Sequence, residues 1–141
     1  MRLKGKQPIF NTRDTLSLDC TLDPIIAEGL KKFKEVIKTA EFAGYPIEFE
    51  LDNDDEAFEN WLATIDKMIY AFDANEPEIP ETNYLEMVSS DEPDENGYFP
   101  VEINVLDQEV YNKHEADDKE HRKKVQEGLD LFAKYYKALW W

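Results

Sequence analysis

The chain has 141 residues, 42% of them hydrophobic and 13% aromatic, which is enough to bury the core of one domain and excludes wholesale disorder. Its formal net charge of −16 makes nucleic acid and anionic membranes poor partners, because phosphate recognition needs a basic footprint that releases counterions. The single cysteine, Cys20, excludes an intramolecular disulfide framework and suits a reducing compartment.

In chain order, the N-terminus MRLKGKQPIF lacks the apolar stretch of a secretory signal. No later apolar run approaches the roughly 18 residues that span a bilayer, so the chain is expected to work in the cytoplasm. A first helix is expected to begin between Asp19 and Asp23, with Pro24 in its first turn, and to end at Gly44 ahead of Pro46. Ile26, Leu30, Phe33, Ile37 and Ala40 form its inner stripe. Cys20, beside Asp19 and without a nearby positive charge to activate it, reads as a small, partly buried apolar residue.

The clearest periodicity runs from Asp54 to Ala74. Phe58, Trp61, Leu62, Ile65, Met68, Ile69 and Phe72 fall at offsets 0, 3, 4, 7, 10, 11 and 14 on one helical face. Asp52 or Asn53 can cap this helix, and Asp54, Asp55 and Glu56 lie in the first turn, where the helix dipole favours negative charge. Asn75 and Pro77 mark its end.

Residues 73–109 carry 12 acidic groups and no basic one. Prolines and the DENG turn forbid a continuous helix there, while NYLEMV and YFPVEINV are short β-like runs. Two outcomes stand open: a two-stranded hairpin with Pro100 at an edge, or an irregular loop pinned by Tyr84, Leu85, Phe99, Val101 and Ile103. From about Leu106 a helix resumes through the polar stretch, with either a continuous course or a break near Glu115 to Asp118 left open. It ends in a stripe of Val125, Gly128, Leu129, Phe132, Tyr135, Tyr136 and Leu139, which Trp140 continues as core while Trp141 leaves that face. EGLKKF at 28–33 echoes EGLDLF at 127–132, and both glycines lie on the apolar face, where a missing side chain lets helices approach closely. Together these segments predict a mainly α fold, a three- or four-helix bundle in one domain, 1–141, with 73–109 as an acidic loop or hairpin insertion.

Motifs for chemistry are sparse. EPDENGYFPVE resembles the first half of a calcium loop, but the first ligand is Glu92 rather than Asp and Glu102 falls one residue short of the bidentate position. His114 and His121, seven apart with Asp117 and Asp118 between them, fit a solvated charged face better than a transition-metal site. Glycines stand alone, so no phosphate-cradling loop is present. No catalytic residue, metal ligand or cofactor site is assigned, and the chain is not expected to be an enzyme.

Four stretches, LSLDCTLDPIIAEGLKKFKE at 16–35, GYP at 44–46, WLATIDKMIYAF at 61–72 and EGLDLFAKYYKALW at 127–140, together resemble a loosely defined set of small, acidic, mostly uncharacterised proteins of tailed bacteriophages and prophages. In that set a leading helix ends before GYP, a tryptophan-opened helix holds a DKMI-like core, and a terminal helix reads LFxKYYxxLW. The resemblance leaves out 73–109 and carries over no catalytic residue. It implies a phage-borne accessory protein acting in a bacterial host cell.

Charge distribution sharpens that expectation. Residues 1–40 carry 8 basic and 5 acidic side chains, 41–121 carry 3 and 25, and 122–141 carry 5 and 2, so mildly basic ends flank an acidic middle. The expected partner is a host protein with a basic surface, which spaced carboxylates could engage and block by imitating DNA phosphates, as an anti-defence inhibitor would. Asp54, Asp55, Glu56, Glu59, Asp91, Glu92, Asp94 and Glu95 would supply charge, and Tyr84, Tyr98 and Phe99 would anchor. The alternative is a structural or self-associating module, a homo-oligomer with Leu131, Tyr135, Trp140 and Trp141 at its interface.

Overall fold

A computed structural model describes residues 1–41, 44–73 and 76–140. The chain is mainly helical, as expected, with four α-helices and two small antiparallel sheets among the described residues. It divides into two compact units, one made of residues 1–75 and 123–141 and the other of 76–122.

The first unit opens with an element the sequence reading missed. Strands β1 (Arg2–Lys4) and β2 (Gln7–Ile9) pair antiparallel, Arg2 opposite Ile9, across a turn in which Gly5 takes a φ of 63° that only glycine adopts cheaply. Strands of three residues are too short to show alternation. Helix α1 (Thr12–Leu16) follows, closed by a reciprocal capping box between Asn11 and Asp14. The Asn11 N–H first, and the terminal ammonium 3.0 Å away, hold the Asp14 carboxyl below its ordinary pKa.

Helix α2 (Leu18–Thr39) begins before the expected start, which places Pro24 inside it rather than in its first turn. The missing N–H leaves the Cys20 carbonyl without its helical donor, and both residues are exposed, so water can serve instead. Cys20 is therefore a surface thiol and not the partly buried residue expected. The helix stops at Thr39, short of Gly44, with Ala40 in extended conformation.

Helix α3 (Asp54–Phe72) matches its signals closely. The Asn53 side chain accepts from the N–H groups of Asp55 and Glu56, and Trp61, Leu62, Ile65, Met68 and Phe72 are buried. Ala27, Leu30 and Ile37 of α2 and Tyr135 of α4 (Gln108–Tyr135) complete the core. A 3₁₀ turn at Ile47–Phe49 adds Phe49, whose ring lies 5.3 Å from Trp61 and 5.4 Å from Tyr135, with Trp61 and Tyr135 themselves 5.5 Å apart. This three-ring cluster joins segments distant in sequence through two edge-on contacts and one tilted one. The basic first segment does meet acidic α3: Lys34 reaches both Asp66 oxygens at 2.6 and 2.7 Å, and Lys31 reaches Asp73 at 2.8 Å.

Tyr45 and Lys31 are among the groups that set the alkaline limit of this unit. The Tyr45 hydroxyl donates to Asp54 at 2.6 Å, which holds the phenol above its ordinary value of 10.0, and Asp73, then Glu28, hold Lys31 above 10.5. Both folded pKa values are raised, so their contribution is present below the unfolded values and lost as pH climbs through the folded ones. Thermal melts should show Tm falling as pH rises above about 10, with a shallower fall for Tyr45→Phe. An identical slope in the variant would remove Tyr45 from this account.

Of the two courses left open near Glu115 to Asp118, helix α4 takes the unbroken one and runs for 28 residues. Its polar stretch is rich in strong helix formers and is laced by i,i+4 contacts, Gln108 with Asn112 and Asp118 with Arg122. In the first unit Gly128 is buried against α3: a Cβ there would stand 2.6 Å from that of Ala71 and press on the Lys67 carbonyl oxygen. Gly29, expected to play the same part, is exposed and has open space around it. After Tyr135 the helix tightens into a 3₁₀ turn, Tyr136–Ala138, and Trp140 emerges 75% exposed, so it does not continue the core stripe.

Candidate acidic interface

The second unit contains β3 (Leu85–Ser89), β4 (Val101–Val105) and the first half of α4. Of the two outcomes left open for 73–109, the hairpin is the one formed. Leu85 pairs with Val105, Met87 with Ile103 and Ser89 with Val101. From Glu76 to Glu109 there are 11 acidic side chains and no lysine or arginine.

Local contacts fix the ribbon at both ends. At its root the Tyr84 ring lies 6.5 Å from Tyr111 and 5.9 Å from His114 on α4, and the Tyr84 carbonyl accepts from the Leu106 N–H at 2.8 Å. Asp107 caps α4, accepting from the N–H groups of Glu109 and Val110 at 3.1 Å each. At the tip Asp94 Oδ1 accepts from the N–H groups of Asn96 and Tyr98 at 2.8 and 2.9 Å, and Gly97 takes a φ of 83°. Pro100 precedes β4; its carbonyl accepts from Ser90, and with no N–H to return, the ladder stops there.

The residues proposed for partner binding therefore separate. Asp91, Glu92 and Glu95 are exposed around the hairpin tip, beside the exposed rings of Tyr98 and Phe99. Asp94, though exposed, is committed to its own loop, which also accounts for the calcium-like spacing: the motif is turn chemistry. Tyr84 is a root anchor within the unit. Asp54, Asp55, Glu56 and Glu59 belong to the first unit, exposed on the opening turns of α3, where Asp54 accepts the Tyr45 hydroxyl.

Of the residues proposed for an oligomer interface, Tyr135 is withdrawn by its position in the three-ring core, at 6% exposure. Leu131 is half-buried against that core, Trp140 is open, and Trp141 lies outside the described residues. His114 and Asp117 line an open groove with Pro77–Thr82, and among the described residues no three metal-ligating side chains converge. Residues overlooked in the sequence are Met87 and Val105, which alternate with Glu86 and Asn104; Val101 and Ile103 were read as pins for a loop, yet both are exposed.

The class defined is a small helical protein with an acidic hairpin unit inserted ahead of its last core segment. Compared with known proteins, the chain matches no family model, and no curated protein or solved structure is significantly similar to it. No helix among the described residues is long and apolar enough to cross a membrane.

Proposed function

We propose that the chain is a non-enzymatic accessory protein of phage type that binds, and by occupying it inhibits, a basic surface on a host protein. What carries this reading is the stretch 76–109 of the second unit: 11 carboxylates with no lysine or arginine, on and around a hairpin whose root and tip are each held by specific contacts. Charge held on a pre-shaped element loses little freedom on binding, and a strong negative field speeds encounter with a cationic surface at low salt. Phosphate positions on DNA are the natural occupants of such a surface, which gives an anti-defence role its physical basis.

Capture with tagged chain from bacterial lysate should yield a basic host protein that elutes as salt rises. Replacing Asp91, Glu92 and Glu95 by their amides should release it at lower salt. Failure to retain any protein in a salt-dependent way overturns the reading.

A second reading rests on exposed Trp140 and Tyr136, which suit a self-associating module. Light scattering at micromolar concentration decides it: a dimer lost in Trp140→Ala supports self-association, and a monomer throughout ends it.

A further inference from the structure

The hairpin has two chemically different faces. Hydrogen bonds from Leu106 N–H to the Tyr84 carbonyl and from Ser90 N–H to the Pro100 carbonyl set the phase of the ladder. Leu85–Val105, Met87–Ile103 and Ser89–Val101 are accordingly the non-hydrogen-bonded pairs, whose side chains stand close together on one side. That side is apolar but for Ser89. The other carries Glu86, Val88, Glu102 and Asn104. Among the described residues each strand pairs only with the other, and Met87 and Ile103, opposite one another at the centre of the apolar side, are 75% and 63% exposed. A two-stranded ribbon is marginal in water by itself, and one with its apolar side uncovered gains further from a partner.

We infer that this side of the hairpin is a docking surface for a protein bearing an apolar patch ringed by lysine or arginine, with Met87 and Ile103 at the centre of the contact. The inference rests on the binding role proposed above and locates where the apolar part of that contact is made. Charge selects the occupant. Carboxylates lie at both ends of the ribbon, Glu92 and Glu95 near its tip and Glu81 and Asp107 near its root, with Glu86 and Glu102 on its opposite face. A second copy would bring the same charge against itself, and an anionic lipid surface would be repelled. A basic rim meets those carboxylates, and its apolar centre covers Met87 and Ile103, the arrangement of dry centre and charged margin common to protein interfaces.

The test uses the full chain and three short labelled peptides: alternating lysine and leucine, alternating lysine and serine, and alternating glutamate and leucine. Fluorescence anisotropy at low salt should show the lysine–leucine peptide binding tightest. The double variant Met87→Thr, Ile103→Thr should weaken it about tenfold or more. Threonine keeps strand propensity, and both positions are exposed, so the variant retains its fold; unchanged circular dichroism checks this. If lysine–serine binds as tightly, or the double variant binds unchanged, the acidic reading survives and this one is overturned. Equal binding of the glutamate–leucine peptide overturns it as indiscriminate stickiness. Binding of neither lysine peptide sinks both readings, and a sedimenting dimer that the double variant abolishes would assign the face to a second copy.

Discussion

Replacing Trp61 by alanine is expected to destabilise the first unit by about 3–5 kcal/mol. The indole is 1% exposed and meets Phe49 and Tyr135 edge-on, so its loss opens a cavity where the 3₁₀ turn, α3 and α4 come together. Domains of this size are stable by only about 5–15 kcal/mol, so urea denaturation should show a midpoint shifted far toward zero denaturant. Trp61→Phe should recover part of the loss by keeping a ring in the cluster. A loss below about 1 kcal/mol for the alanine variant would mean that the cluster is not where α3 is held. Phe132→Ala, which removes a ring 5.0 Å from Phe72, should cost somewhat less, since Phe132 is only half-buried.

Adding one methyl group at Gly128 is expected to be nearly as damaging, at about 1–3 kcal/mol, although alanine is the better helix former. The new carbon would press on the Lys67 carbonyl and on the side chain of Ala71, and backbone oxygen cannot swing aside as a long side chain can. The two helices would have to part, loosening the bond from Lys67 to Glu127, 2.6 Å long, beside that contact. The same substitution at Gly29 is the internal control. With open space around it, Gly29→Ala should raise stability by about 0.5–1 kcal/mol through helix propensity alone. Opposite signs at the two positions are the expected result; destabilisation at both would place Gly29 in a close contact too.

Those glycines also show how far sequence could take the fold. Both sit in the same EGLxxF context and on the apolar stripe of their helices, yet one is pressed against α3 and the other open. Periodicity identifies a face but not which stretch of it meets a neighbour. Helix α3 was readable throughout because cap, dipole and stripe agree there. The end of α4 was not, because extrapolating from Tyr136 to Trp140 assumes 3.6 residues per turn, and the chain tightens to 3₁₀ geometry from Tyr136. Pro24 misled in a similar way: its preference for a first turn is statistical, whereas Asn11, Asp14 and Thr21 bind the preceding segment into helix before proline is reached, Thr21 Oγ1 donating to the Asp14 carbonyl at 2.9 Å.

The candidate site was legible as charge but not as shape. Acidity of 73–109 is plain in the composition. Which of its aromatic and aliphatic groups are inward depends on register and on what α4 offers: Tyr84 finds Tyr111 and His114, while Met87 and Ile103 stay 75% and 63% exposed. Asp94 was indistinguishable from its acidic neighbours until the loop placed two backbone N–H groups on it.

The accessible sulfur of Cys20 bears on how every one of these experiments must be run. Left in air, a lone surface sulfhydryl links molecules covalently in pairs, and such pairs would scatter light as a dimer whatever Trp140 or the hairpin does. Reductant in the buffer, or Cys20→Ser, separates that artefact from true association. The same atom offers a native, single attachment point for a fluorophore on α2.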